Sequence, residues 1–360
     1  MKKVYVLKHS PLKDVVFTKN SSDFSVKEIP LYDFTKEGEH LILHLRKKDL
    51  TTWDMLKILS EISGAKVRDF GYAGLKDKDG MTTQYISILK KYEDKFENFS
   101  HAKIKILSKT YHKNKIKIGH LKGNRFFIRL KKVSAIDAKK LQSGLEFLDQ
   151  NGYPNFFGYQ RFGREQKNAQ DGLKILKGEL KYKNKKMKNF LISAYQSELF
   201  NSWLSKRIEI SHLVENFGAD ELKKMFDFDD ELIKKLKNQN QFLKIFSGDI
   251  LHHYPHGKAF LCEDLGKEIQ RFEQRQITLT GWLVGSRALK SEGEAKRIEE
   301  DFFKEAVNFQ EKMTGSRRFA WSFLEDLEYK YIEEKAWFEM NFTLQKGSYA
   351  TTILDELVKS

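Results

Sequence analysis

Asp77 is the side chain in this sequence that is best placed to carry out chemistry. It lies between Lys76 and Lys78 in the segment 70–84, which contains three glycines. Glycines this close together indicate tight turns and close backbone approach. The segment 84–89 then alternates polar and apolar residues as a half-buried strand does. The sequence therefore predicts a loop that delivers the Asp77 carboxylate to one end of a sheet, where it is placed for chemistry.

The two lysines that flank Asp77 are not expected to be its ionic partners. In near-extended backbone their side chains point away from the face that Asp77 uses. A cation that keeps this carboxylate ionised in a dry pocket must therefore come from elsewhere. A simpler interpretation stays open, because a Lys-Asp-Lys triplet is usually solvated on the protein surface.

The composition indicates a globular protein with an acidic partner. The 360 residues are 40% hydrophobic and 32% charged, with a formal net charge of +15 and a pI near 9.4. This length predicts two domains. The charge favours nucleic acid as the partner, although a generally lysine-rich surface would give the same excess. No membrane association is expected, since no apolar run approaches the roughly 18 residues of a membrane span.

The cysteine and histidine content predicts neither a disulfide nor a metal site. The single cysteine, Cys262, is interpreted as a small buried residue in a reducing cytoplasm. His252, His253 and His256 cluster around a proline, but their spacing completes no familiar set of metal ligands. The predicted location is cytoplasmic.

Helices and basic strands are predicted on both sides of the loop. Thr51 and Asp54 form a capping-box pattern that begins a helix, and Gly64 ends it. Strands with positively charged polar faces are predicted through 103–106 and 115–118. These strands strengthen the expectation of an acidic partner.

The strand predicted at 122–130 brings two further side chains together. Its period-two geometry places Asn124 and Phe126 on the same face. For an isolated phenylalanine such as Phe126, ordinary core packing is the usual interpretation.

The segment 70–84 resembles the signature of the TruD-type tRNA pseudouridine synthases, in which Tyr-Ala-Gly-x-Lys-Asp is followed by Thr-x-Gln. Further motifs of that family are matched in the same order by the segments 123–126, 155–163, 193–201 and 347–351. Separated motifs in a common order make chance a poor explanation.

The resemblance implies an α+β architecture, the pseudouridine synthase fold with a central antiparallel sheet, in a V-shaped molecule with an inserted TRUD domain. The catalytic domain is then expected to comprise residues 1–150 and 313–360, with the TRUD domain at 151–312. A shift after residue 163 to helices rich in lysine and glutamate is typical of an inserted domain.

The resemblance also implies a reaction and roles for individual residues. Uridine, with position 13 of tRNA as the expected target, is isomerised to pseudouridine with no cofactor or metal. The expected partner is tRNA, and no protein partner is implied. The nucleophile would be Asp77, with Lys19 as its cation, and the uridine pocket would be lined by Phe24, Asn124, Phe126 and Tyr349.

Two other classes of protein are weighed against this one. A non-catalytic RNA-binding protein or chaperone would use the same basic cleft, but it has no reason to set the Asp77 carboxylate among phosphates. A glycosidase with two carboxylates would need a second acid paired with the first, and Asp79 is not convincing in that role.

Overall fold

The computed structural model describes residues 3–163, 165–226 and 228–359 of the chain. They form two compact units. The first unit consists of residues 3–10, Gly144–Phe323 and Tyr349–Lys359, and the second of Pro11–Ser143 and Leu324–Ser348. The predicted division into a catalytic domain and an inserted TRUD domain stays a prediction.

Strands and helices are numbered here in chain order. The strands are β1 (Val16–Phe17), β2 (Phe24–Pro30), β3 (His40–Lys48), β4 (Gly71–Tyr72), β5 (Met81–Leu89), β6 (Ile104–His112), β7 (Leu121–Lys131), β8 (Tyr153–Pro154), β9 (Ile250–His253), β10 (Ala259–Leu261), β11 (Ile277–Leu283), β12 (Ser316–Phe319), β13 (Trp321–Ser322), β14 (Glu325–Ile332) and β15 (Trp337–Gln345). The α-helices are α1 (Thr52–Ser63), α2 (Ala135–Asn151), α3 (Asn168–Lys177), α4 (Lys185–Asn216), α5 (Ala219–Phe226), α6 (Asp230–Lys237), α7 (Leu265–Glu273), α8 (Gly293–Val307) and α9 (Ala350–Val358).

The second unit is built on a nine-stranded sheet. Its order is β14-β15-β7-β2-β5-β3-β6, with β1 paired to β7 and β4 to β5. The strand pairs are antiparallel except β2 with β5, which run parallel with Ser25 opposite Met81. The predicted α+β class with a large, mainly antiparallel central sheet is confirmed.

The parallel pair positions the loop that carries Asp77. Strand β5 starts at Met81, directly after this loop, and β2 starts at Phe24. Because the two strands run side by side in the same direction, the loop lies at the end of the sheet where β2 begins. The predicted delivery of Asp77 to a sheet end agrees with this arrangement.

Helix α1 packs its buried face on this sheet. It begins with the predicted capping box, in which Thr51 Oγ1 accepts from the Asp54 N–H (3.0 Å) and the Asp54 carboxylate accepts from the Thr51 N–H (3.3 Å). It ends at Gly64 in the left-handed conformation (φ 73°). Its buried side chains join a core whose members include Leu41, Leu43, Leu45, Met55, Leu56, Leu59, Ile86 and Ile88.

The first unit is organised around the 32-residue helix α4. This unit also contains a four-stranded sheet in the order β10-β9-β11-β12 and the strand pair β13-β8. In its interior Arg207 of α4 forms a bidentate pair with Asp249, with nitrogen–oxygen distances of 2.7 and 2.8 Å. Bidentate geometry of this kind allows both charges to be buried together.

One predicted strand is wrong and one is correct. Ile104–His112 forms β6, as the basic pattern at 103–106 predicts. The segment 115–118 is not a strand, because the Ile116 N–H donates to the Ser87 side chain (2.9 Å) instead of to a neighbouring strand. In the described parts of the chain, no helix combines the length and the apolar character needed to cross a membrane.

Candidate active site

The backbone before Asp77 is anchored to buried polar groups. The Lys76 N–H donates to Thr52 Oγ1 (2.9 Å), and the Thr52 hydroxyl donates to Gln84 Oε1 (3.2 Å). Thr52 lies in the first turn of α1 and Gln84 on β5, and both are buried. The aspartate loop, defined here as residues 73–80, is thereby tied to a helix and a strand at once.

Lys47 anchors the backbone after Asp77. Its side chain is buried, and Nζ donates to the carbonyl oxygens of Asp77 (2.8 Å) and Leu50 (2.5 Å). Burial lowers the pKa of Lys47 from 10.5 to about 8, while the nearby Asp77 carboxylate acts in the opposite direction. Lys47 is therefore a buried cation beside the loop that carries the predicted nucleophile.

Sequence reasoning missed Lys47, although a signal for it exists. The run Arg46-Lys47-Lys48 looks like solvated charge at the end of a strand. However, Lys47 continues the alternation of the buried positions of β3, which are Leu41, Leu43 and Leu45. A lysine in register with buried leucines indicates an inward-facing amine.

Lys76 is turned into the protein rather than toward solvent. Its Nζ lies 3.3 Å from Glu28 Oε2 and donates to Asn124 Oδ1 at 2.5 Å. Glu28 on β2 and Asn124 on β7 are direct neighbours across the sheet. Burial raises the pKa of the Glu28 carboxyl, and the Lys76 ammonium opposes that shift. The structure thus brings the predicted pocket residue Asn124 into contact with the residue that precedes Asp77.

Two of the predicted pocket aromatics form a stack beside the loop. The rings of Phe24 and Phe126 are 6.3 Å apart with an interplanar angle of 27°, and Phe342 packs on Phe126 at 5.8 Å. Gly80 closes the aspartate loop against this stack. A Cβ at Gly80, where φ is 87°, would meet Phe24 at 2.8 Å, so both the conformation and the space favour glycine.

The side chain of Asp77 itself is exposed. Lys19, its predicted cation, lies with Nζ 5.9 Å from the centre of the Phe24 ring. Within the described ranges, no ion pair joins Lys19 to Asp77. The roles assigned to Asp77 and Lys19 stay predictions, and Lys47 enters the site as a cation that the sequence did not indicate.

Tyr349 belongs to the first unit. Its side chain is exposed, and it is the residue that precedes α9. The Arg161 and Arg318 guanidinium groups lie near it, and burial lowers the pKa of Arg318 to about 10. The role of Tyr349 in a uridine pocket stays a prediction.

The segment 155–163 of the first unit is held by side chains of α4. The Phe157 N–H donates to Asn201 Oδ1 (2.9 Å), and Asn201 Nδ2 donates back to the Phe157 carbonyl oxygen (3.0 Å). Arg161 donates to the hydroxyls of Ser193 and Ser197. This segment, called here the arginine loop, and the matching stretch of α4 therefore form one structural element.

A basic groove lies along the edge strand β6 of the second unit. It has a volume of about 560 Å³ and is lined by several cationic side chains, which are Arg46, Lys48, Lys103, Lys105 and Lys109. Positive charge of this density attracts phosphate groups. The groove matches the expectation of an acidic partner.

The fold has a known counterpart. A solved structure from Methanosarcina mazei that carries the name tRNA pseudouridine synthase D (TruD) superposes with a TM-score of 0.67 at 22% identity, over 99% of this chain and 96% of the other. At that identity the likeness shows the fold.

The sequence comparisons identify the family. The family model described as tRNA pseudouridine synthase D (TruD) matches residues 2–183 and 177–357. Curated proteins named tRNA pseudouridine synthase D are 56% identical in Campylobacter jejuni, over 99% of this chain and 96% of the relative, and 50% identical in Nitratiruptor, over 99% and 98%. The chain is a pseudouridine synthase, which is an isomerase. It belongs to the tRNA pseudouridine synthase D (TruD) family.

Proposed function

We propose that this protein isomerises a uridine of tRNA, at position 13, to pseudouridine, with Asp77 as the nucleophile and without a cofactor. The curated relatives carry tRNA in their names, which supports tRNA as the substrate. The basic groove on β6 supports binding of a polyanion of this kind. Action on tRNA also favours the cytoplasm as the place of work.

The observation that carries the proposal is the way the aspartate loop is held. Its backbone is fixed on both sides of Asp77, by Thr52 and by the buried Lys47, whereas the carboxylate is exposed. A nucleophile requires this combination, because its reacting atom must be accessible while its position is restrained. An arbitrary surface Lys-Asp-Lys turn does not require two buried anchors.

The reaction balances with the groups that the chain provides. The Asp77 carboxylate attacks the ribose or the base, and the N1–C1′ glycosidic bond breaks. After the uracil turns, a C5–C1′ bond forms and the bond between Asp77 and the substrate breaks, which restores the free carboxylate. The hydrogen on C5 leaves as a proton, while N1 gains a proton. Substrate and product are isomers, so no electrons are exchanged with a redox partner.

The pocket residues fit the handling of a flipped base. A uridine that is taken out of its stack needs an aromatic surface and hydrogen-bonding groups for its edge. The Phe24–Phe126 stack and the half-buried Asn124 lie on the same part of the sheet and beside the aspartate loop. We assign the ring stacking to Phe126.

The test is the Asp77→Asn variant in a single-turnover assay that measures tritium release from 5-tritiated uridine in tRNA. The variant keeps the size of the side chain but removes the attacking charge, so turnover should fall at least about 10³-fold. Folding should survive, because the exposed carboxylate contributes little to stability.

A binding assay on the same sample separates catalysis from RNA binding. Affinity for tRNA should persist or rise slightly, since a negative charge near phosphates is removed. Asp79→Asn, with the same charge change two residues away, is the matched control and should retain turnover. Near-parental turnover of Asp77→Asn would remove Asp77 from the mechanism and would favour a role in RNA binding instead.

A further inference from the structure

A buried ion pair of Lys76 and Glu28 lies beside Asn124, and its interpretation rests on the proposed uridine pocket. Lys76 contacts Glu28 and Asn124 at once, at 3.3 Å and 2.5 Å from its Nζ. The side chain of Lys76 is 7% exposed and that of Glu28 is 1% exposed. This buried charge pair therefore contacts one specific amide side chain, that of Asn124, in addition to packing in the core.

The contact fixes the orientation of the Asn124 amide by chemistry. A lysine ammonium has three donors and no acceptor. It can therefore face only the amide oxygen of Asn124 and not the NH₂ group. The NH₂ end of Asn124 is consequently directed away from Lys76. Among the described residues, no protein acceptor hydrogen-bonds to this NH₂ group.

The position of Lys76 is itself held by two contacts. Its backbone N–H is bound by Thr52. Its ammonium is held by Glu28, whose other carboxylate oxygen accepts from the Tyr85 N–H (3.2 Å). Glu28 lies directly opposite Asn124 on the neighbouring strand. If the Asn124 amide rotated by half a turn, its NH₂ group would face the Lys76 ammonium. Two donors would then point at each other in a buried site, which costs free energy.

We propose that Lys76, held by Glu28, is a positioning residue that locks Asn124 with its NH₂ group toward the substrate, so that the pocket selects a base with a carbonyl acceptor. Uracil presents carbonyl oxygens at C2 and C4, whereas cytosine presents a carbonyl at C2 and an amino donor at C4. The lock thus gives the pocket a means to reject cytidine when the NH₂ group faces C4, which is the case in which 4-thiouridine is the slow substrate. A site built to hydrogen-bond one group discriminates against analogues that lack it.

The experiment replaces single carbonyl oxygens of the substrate. Three tRNA transcripts carry uridine, 2-thiouridine or 4-thiouridine at the position that the parent enzyme modifies, and single-turnover rates are measured for each. Sulfur is a poor acceptor, so one thio-substituted RNA should react about five- to tenfold more slowly than the uridine RNA, the worth of one neutral hydrogen bond. Equal rates for all three RNAs would overturn the proposal.

The variants then ask whether Lys76 sets this preference. In Lys76→Met the amide can turn, and the rate ratio between uridine and the sensitive thio-uridine should fall to about one. Lys76→Arg, which also only donates, should retain the ratio. Asn124→Asp keeps the shape and the contact with Lys76 but loses the NH₂ donor, so its ratio should also fall to about one. A parental ratio in Lys76→Met or in Asn124→Asp would refute the lock.

Controls separate this outcome from loss of charge or of folding. Lys78→Met removes the same charge from an exposed neighbour in the loop and should keep the ratio. If Lys76→Met does not fold, the double variant Lys76→Met/Glu28→Gln removes both buried charges together and leaves neither uncompensated. An inactive parent enzyme would contradict the proposed function, whereas an active parent with an unchanged ratio in the variants would contradict only the lock.

Discussion

The aspartate loop of the second unit and the arginine loop of the first unit both match family motifs, but they differ in whether the charged side chain of the motif is bound by the protein. In the aspartate loop the anchors reach the backbone and leave the Asp77 side chain exposed. In the arginine loop the anchors also bind the Arg161 side chain, which donates to Ser193 and Ser197 and lies over Phe157.

This difference distinguishes a side chain available to a ligand from one that is used inside the protein. Donors of Arg161 already have protein partners, and burial lowers its pKa. Asp77 has its backbone restrained but its carboxylate accessible to solvent. A motif match alone does not separate these cases, because both loops contain glycines and at least one charged residue.

Among the variants that test this difference between the loops, Lys47→Met is expected to have the largest effect on the catalytic rate. The change leaves the carbonyl oxygens of Asp77 and Leu50 without their buried donor, so the loop should loosen. A misplacement of the nucleophile by about 1 Å costs about 10²-fold in rate, and we expect kcat to fall by that order. Single-turnover kinetics measures the loss. Lys57→Met, on the exposed side of α1, is the charge-matched control, and equal losses in both variants would show that the anchor is unimportant.

Phe126→Ala should weaken placement of the uridine by about 1–3 kcal/mol, the usual contribution of a base stacked on an aromatic ring. Because Phe126 is also 92% buried against Phe24 and Phe342, a loss of stability accompanies this effect. Phe342→Ala removes a fully buried ring from the same stack and serves as the packing control. The two variants are compared by KM and by urea unfolding.

If Phe342→Ala raises KM as much as Phe126→Ala does, core packing explains both changes. The proposed stacking role would then be wrong. A rise in KM confined to Phe126→Ala, with comparable destabilisation in both, supports direct contact with the base.

In the arginine loop, Asn201→Ala should reduce stability without changing the chemical step. Both backbone groups of Phe157 lose their partner, which costs about 1–3 kcal/mol for a buried group left unsatisfied. Urea unfolding measures this change. Asn201→Asp keeps the acceptor for the Phe157 N–H but places a carboxylate oxygen against the Phe157 carbonyl oxygen, so it should not restore the lost stability. A large fall in single-turnover rate at full folding would mean that the two loops are alike in function after all.

The smallest effect expected is the pH dependence of stability contributed by Lys47. Its pKa is about 8 in the folded protein and 10.5 as its ordinary value. Between these values the unfolded chain binds the proton that the folded protein has released, so stability rises with pH. From pH 8 to pH 9 the gain is about 1 kcal/mol relative to Lys47→Met. Urea midpoints of the parent and of Lys47→Met at the two pH values test the sign. A parent protein that loses stability relative to Lys47→Met as the pH rises would contradict the prediction.

Local sequence signals predicted the elements near the site well. The capping box at Thr51, the end of α1 at Gly64 and the shared face of Asn124 and Phe126 depend on neighbouring residues, and each is present. The segment 115–118 has a real alternation of basic and apolar residues, but it forms no strand because the Ile116 N–H is bound by the distant Ser87. A strand depends on a partner that local periodicity does not reveal.

The sequence did not predict which residues hold the aspartate loop in place. Lys47, Thr52 and Glu28 each contact the aspartate loop or its neighbours from separate elements. Lys47 was open to detection from the alternation of β3, whereas the Lys76–Glu28 pair depends on the order of strands in the sheet. Lys19 was assigned from the family resemblance, because it precedes the Asp23-Phe24 pair, and the structure places its Nζ 5.9 Å from the centre of the Phe24 ring.

The parallel pairing of β2 with β5 has a consequence for how the site forms during folding. Ser25 and Met81 are distant in sequence, and β3 and α1 lie between them in the chain. Parallel neighbours are joined only after such an intervening segment has been closed, and contacts of long sequence separation form slowly. The partners of β3 on β5, such as Lys48 opposite Met81, are closer in the chain. We therefore expect the contacts of β3 with β5 to form earlier, and the aspartate loop to reach its working geometry only at a late kinetic step.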